Sequence, residues 1–165
     1  MYDLLIRQAV IVDGTGAAGF QADVAVAKSR FVAVASHLEG DAARVVDAGG
    51  LTLAPGFIDI HCHSDRYHIE HPEGEIKLRQ GVTLEVVGNC GASLAPLAAA
   101  RAREAADHTA GGPGRFQGPI DWLGYGQYAA KVEAGKPIVN VAGLVGHGTL
   151  RIAAMGFAAQ PAGSD

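Results

Sequence analysis

The chain has 165 residues, 48% hydrophobic and only 18% charged, which is enough apolar material for the core of one domain of ordinary size. Its formal net charge of -4, with no run of Lys or Arg, gives no electrostatic footing for nucleic acid or an anionic membrane, so the expected partner is a small molecule. No signal sequence opens the chain and no apolar run is long enough to cross a bilayer, which predicts a cytoplasmic location, and two cysteines make no disulfide framework.

Residues 1–54 have the rhythm of a small all-β unit. Apolar bursts at Leu4 to Ile6, Val10 to Val12, Val24 to Val26, Phe31 to Val34, Val45 to Val46 and Leu51 to Leu53 predict short strands. Between them, Asp13-Gly14-Thr15-Gly16, Lys28-Ser29-Arg30, Glu39-Gly40-Asp41 and Ala48-Gly49-Gly50 supply turn chemistry. The glycines from Gly14 to Gly19 superficially mimic a dinucleotide-binding loop, but no helical pattern follows, so they are read as a turn.

From Pro55 onward, strands alternate with longer helix-compatible connections, the pattern of β/α units on a parallel sheet. The predicted strands are Phe57 to His61, Val82 to Val87 and Ile138 to Val145, the first apolar enough for burial on both faces. Between the first two, Glu73 to Gln80 can hold a short helix. Ala98 to Ala106 and Ile120 to Glu133 are helix-compatible, Gly111-Gly112-Pro113-Gly114 is a loop, and Thr149 to Ala154 begins a further helix. In the long connection, Trp122, Tyr125 and Tyr128 are candidates to line or cover a site, with packing as the competing role.

The chemistry concentrates at strand ends. In Pro55-Gly56-Phe57-Ile58-Asp59-Ile60-His61-Cys62-His63, strand alternation puts His61 and His63 on one side about 6.6 Å apart at the Cα atoms. Two imidazoles so placed can grip one divalent metal ion, while Cys62 faces away as a small buried hydrophobe. Cys90, between Gly88-Asn89 and Gly91, follows the second strand and is either a third ligand, thiolate being a strong donor to zinc, or an ordinary buried cysteine. His147, flanked by glycines after the third strand, is a candidate substrate contact or second-layer residue, a metal ligand, or a structural histidine. Asp65 either orients a ligand imidazole or caps its loop. His68 and His71 are read as solvated, and Glu85 as a hydrogen-bonded structural carboxylate. No nucleophile elbow or phosphate-binding loop is present, which leaves metal-assisted hydrolysis.

The blocks Ala54 to Asp65, Gln80 to Gly91 and Asn140 to Arg151, with the opening Tyr2 to Gly16, resemble the D-aminoacylase branch of the amidohydrolase superfamily. The His-x-His block points only to the superfamily, whereas Gly88-Asn89-Cys90-Gly91 and Gly146-His147-Gly148-Thr149-Leu150-Arg151 are far narrower. The resemblance implies an α/β chain in which residues 1–54 are part of a β-sandwich and residues 55–165 are the first three β/α units of an incomplete TIM-like barrel. It implies that His61, His63 and Cys90 are ligands in a zinc site, Cys90 replacing the bridging carboxylated lysine of other branches. The implied reaction is hydrolysis of N-acyl-D-amino acids, its general-base aspartate and two further histidine ligands coming from later strands than these 165 residues reach. The chain is therefore read as the N-terminal part of an enzyme, inactive alone and open to self-association along an exposed barrel edge. The competing readings are a hydantoinase-like cyclic amidohydrolase and a non-catalytic binding or assembly module.

Overall fold

The computed structural model of the chain describes residues 1–109, 116–161 and 163; the expected loop Gly111 to Gly114 lies outside them. The chain divides into two compact units, Met1–Pro55 and Gly56–Asp165.

In the first unit β1 (Tyr2–Ile11), β2 (Phe20–Ala27), β3 (Arg30–Ala35), β4 (Ala42–Asp47) and β5 (Thr52–Leu53) form one five-stranded sheet among the described residues. Its order is β3-β2-β1-β4, with β5 pairing with β1 beyond β4. β1 and β2, and β2 and β3, run antiparallel, while β4 and β5 run parallel to β1. The bursts at Leu4 to Ile6 and Val10 to Val12 belong to one strand rather than two. A bulge between Ile6 and Ala9 joins them, with Gln8 at φ +59°. The buried Asp23 makes this possible, because its Oδ1 accepts the Gln8 N–H at 2.9 Å and its Oδ2 accepts that of Leu38 at 3.0 Å. Those two amides hold the Asp23 carboxyl below the usual carboxylate range. The glycine-rich segment is the expected turn, with Asp13 Oδ1 accepting from both the backbone and the hydroxyl of Thr15. Ala9, Ile11, Ala22, Val24 and Ala48 form the core of this unit.

The second unit carries a three-stranded parallel sheet in chain order, β6 (Phe57–Asp59), β7 (Val82–Val87) and β8 (Asn140–Gly143). The predicted alternation of strand and helix is observed: α1 (Tyr67–Glu70) and a 3-10 turn at Leu78–Gln80 precede β7. A 3-10 turn at Ala99–Arg101, α2 (Ala102–Thr109) and α3 (Tyr125–Gly135) separate β7 from β8, and α4 (His147–Met155) follows. β7 has the predicted bounds, but both outer strands are shorter than predicted. β6 stops because Asp59 Oδ1 accepts the His61 N–H at 3.2 Å, turning the chain out of the ladder. His61 and His63 thus sit in a loop beyond the strand, not on it.

Phe57, Ile58 and Ile60 are not buried on both faces as expected; they are 63%, 60% and 72% exposed. β6 is an edge strand of this sheet, and no other described element covers those side chains. The core lies instead on the helical side, around Leu94, Leu97, Phe116, Trp122, Tyr128 and Ile152. Trp122 and Tyr128 are packing residues there, Trp122 donating its indole N–H to the Leu94 carbonyl at 2.8 Å. Among the described residues no helix is long and apolar enough to cross a membrane.

Candidate metal centre

Because β6 and β7 are parallel neighbours, the loops that leave them emerge at the same edge of the sheet. One carries His61 and His63 and the other Cys90. Their potential ligand atoms all lie within 4.8 Å of one another, His61 Nε2 standing 3.2 Å from Cys90 Sγ. The two imidazole rings meet edge to face with centroids 5.7 Å apart, and all three side chains are solvent-accessible. A tetrahedral zinc with bonds of about 2.0–2.3 Å needs donors roughly 3.3–3.8 Å apart. The observed spacing reaches that by small side-chain rotations, and two imidazoles with one thiolate suit zinc chemically.

The thiol is held in an unusual stretch of backbone. Cys90 has φ +55°, between Gly88 at +82° and Gly91 at +76°. A non-glycine residue in this region costs about 1–2 kcal/mol, so the surrounding structure must impose it. A Cβ on Gly88 would lie 2.2 Å from the Leu144 carbonyl oxygen, and one on Gly146 would lie 2.4 Å from that of Gly91. The loop after β7 and the end of β8 are therefore in backbone contact. Buried Ser93 and Thr149 lock that contact: Ser93 N–H donates to Thr149 Oγ1 at 2.8 Å, and the Thr149 hydroxyl returns a bond to the Ser93 carbonyl at 2.9 Å.

A buried ionic network adjoins the histidine loop. Contrary to the solvated role expected for it, His68 is only 3% exposed, and its Nε2 lies 2.8 Å from Glu85 Oε2. The physical reason is the isolated carboxylate that β7 brings inside, which requires a polar partner. Ser64 Oγ donates to Glu85 at 3.1 Å and lies 3.2 Å from His68 Nε2. Lys77 pairs with Asp59, holding that carboxyl below its usual range, and stands 3.5 Å from Glu85 Oε1. Asp59, Cys62 and Glu85 also have their ligand atoms close together, but the Lys77 ammonium already supplies the cation to the two carboxylates, and Cys62 packs beside that ion-pair network without belonging to it. Cys62 is buried as expected, with Sγ 3.2 Å from the Val86 carbonyl, and burial pushes its thiol up. Sequence reasoning missed Lys77 altogether; the signal available was Glu85 itself, a carboxylate in an otherwise apolar strand.

Asp65 is buried, and burial pushes its carboxyl above the usual range. Its backbone carbonyl accepts the Tyr128 hydroxyl at 3.0 Å, while its Oδ1 has no hydrogen-bond partner. It is thus bound into the loop's support. His147 is the exposed first residue of α4, outside the cluster of His61, His63 and Cys90. His71 is exposed, as expected.

Residues 44–163 match the amidohydrolase family. The chain is 44% identical over 155 residues to the N-acyl-D-aspartate deacylase of Alcaligenes xylosoxydans xylosoxydans, covering 93% of this chain and 30% of that protein. It is 40% identical to the N-acyl-D-glutamate deacylase of the same organism, covering 99% and 32% respectively. The crystal structure of N-acyl-D-glutamate deacylase from Bordetella bronchiseptica, complexed with zinc and a phosphonate mimic of the tetrahedral intermediate, matches with a TM-score of 0.79 at 38% identity. That match covers 93% of this chain and 31% of the other. The chain spans about a third of the length of these relatives.

Proposed function

The chain belongs to the amidohydrolase family, and from that premise we propose that it is the N-terminal, metal-holding part of a zinc-dependent hydrolase of N-acyl-D-amino acids. The observation that carries this reading is the convergence of His61, His63 and Cys90 at one edge of a parallel sheet. In the same reading, β6, β7 and β8 with their helices are the first three β/α units of a TIM-like barrel, and residues 1–54 are part of a β-sandwich.

Zinc held by these donors supplies Lewis acidity for cleaving the amide C–N bond. His61 and His63 contribute neutral imidazole nitrogens, and Cys90 contributes a thiolate whose negative charge offsets part of the cation's. The loop backbone around Cys90, fixed by Ser93 and Thr149, keeps the thiol aimed at the imidazoles. His147 follows β8 and therefore leaves the sheet at the same edge as the cluster; its role in this proposal is to contact substrate. Asp65 supports the histidine loop from beneath through Tyr128.

The test is metal content and substrate range, measured on the protein that carries this chain. Zinc is expected in stoichiometric amount and is expected to fall sharply in Cys90→Ala. N-acetyl-D-aspartate and N-acetyl-D-glutamate are expected to release free amino acid, while their L isomers and hydantoin are inert. Opening of hydantoin would favour a cyclic amidohydrolase instead. Absence of zinc together with absence of turnover would favour a non-catalytic module.

A further inference from the structure

The parallel pairing of β6 with β7 ends at Asp59 opposite Glu85. The ladder therefore stops short of His61, and strand pairing alone leaves the distance from the His-x-His turn to Cys90 unset. Cys62 Sγ reaches the Val86 carbonyl at 3.2 Å and Ser64 Oγ reaches Glu85 at 3.1 Å, contacts that tie the histidine turn to β7, and Asn89 ties it to the loop that carries Cys90. The Asn89 side-chain amide nitrogen donates to the Cys62 carbonyl at 3.2 Å and to the Val86 carbonyl at 2.7 Å, engaging both of its hydrogens.

The identity of the two acceptors gives this amide its meaning. Cys62 is the residue between the two histidines, Val86 lies in β7, and Asn89 immediately precedes Cys90. An asparagine that merely closed its own turn would need only the bond to Val86. The second bond reaches across to the middle of the histidine turn. The direction of the Cys90 side chain depends on this anchor all the more because its φ is +55° and glycines with positive φ stand at positions 88 and 91.

Resting on the reading that His61, His63 and Cys90 hold a metal ion, we propose that Asn89 is a positioning residue for that site. Its paired hydrogen bonds set the spacing between thiol and imidazoles before the ion arrives. Asn89 touches neither the ion nor the substrate; it acts through the peptide of Cys62 and the backbone of Cys90.

The experiment titrates the metal-free form of the protein that carries this chain with Co2+, following the thiolate-to-cobalt charge-transfer absorption, in the wild type, Asn89→Ala, Cys90→Ala and His61→Ala. Asn89→Ala is expected to bind about 10- to 100-fold more weakly and to show an altered thiolate band even at saturation. A merely structural role would lower the urea midpoint and leave the saturated band unchanged, and that result overturns the proposal. If Cys90→Ala and His61→Ala lose the band while Asn89→Ala titrates like the wild type, the assignment of Asn89 fails and the metal site stands. If Cys90→Ala and His61→Ala both titrate like the wild type, the metal site itself fails. Should Asn89→Ala not fold, NMR of the wild-type protein decides: the Asn89 side-chain amide protons are expected to exchange slowly with water, and exchange as fast as in a free amide overturns the proposal.

Discussion

His68 lies almost wholly out of water, with its Nε2 2.8 Å from the Glu85 carboxylate and Ser64 bridging the two. Burial pushes the His68 imidazole below its ordinary value, and the Glu85 carboxylate opposes that only in part. At mildly acidic pH the unfolded chain therefore binds a proton at this position that the folded chain resists. The stability contributed here is complete above the ordinary imidazole pKa of about 6.5 and is lost as pH falls below it. Urea midpoints measured from pH 8 to pH 5 are expected to decline for the wild type and to decline less for His68→Gln, which keeps a donor toward Glu85 without a titrating ring. Equal slopes would exclude His68 as the source. Gly88 gives a second test at this scale. With φ +82° and the Leu144 carbonyl oxygen 2.2 Å from where a Cβ would sit, Gly88→Ala adds backbone strain to a clash that no side-chain rotation relieves. Its expected cost is roughly 2–4 kcal/mol in denaturant unfolding.

At the scale of elements, the long connection between β7 and β8 is held by its aromatic residues. Phe116 meets Trp122 edge to face at 5.6 Å, Trp122 meets Tyr128 at 6.0 Å, and the indole N–H satisfies the Leu94 carbonyl. Trp122→Ala is expected to cost about 3–5 kcal/mol. Trp122→Phe, which leaves that carbonyl unpaired while keeping most of the apolar contact, is expected to cost about 1–3 kcal/mol, read from the same unfolding curves. The elements differ in how plainly the sequence announces them, and the differences have local causes. β7 is legible to its ends because an apolar run is bracketed by Gly81 and Gly88, both at positive φ. β6 misleads because the side chain of Asp59 stops a strand whose apolar pattern continues through Ile60. β1 misleads because Asp23, remote in sequence, takes the Gln8 amide and lets one strand pass through a bulge. The grouping of His61, His63 and Cys90 could be anticipated, since adjacent parallel strands deliver their C-terminal loops to one edge. The burial of His68 and the bridging amide of Asn89 could not, because each depends on a partner across strands that no local periodicity records.

At the scale of the whole molecule, each unit presents, among the described residues, an edge strand with strongly exposed apolar side chains that is a site for self-association. Phe31, Val32 and Val34 on β3 are 72%, 52% and 50% exposed, and Phe57, Ile58 and Ile60 on and after β6 are 63%, 60% and 72% exposed. Each belongs to an edge strand with unpaired backbone groups, the arrangement that invites pairing with another chain. The β3 edge is guarded by charge, since Lys28 lies in the turn that enters it and Arg30 is its first residue. The β6 edge has no such guard, because Gly56 precedes it and its one charged residue, Asp59, is already paired with Lys77. Association through β6 is therefore expected to dominate. Sedimentation equilibrium of the 165-residue chain is expected to show a concentration-dependent rise in mass that Ile58→Lys combined with Ile60→Lys removes. Phe31→Lys combined with Val32→Lys is expected to leave that rise in place. The reverse pattern would place the contact on the first unit, and a chain that stays monomeric at every concentration would show that neither surface is sticky enough to matter.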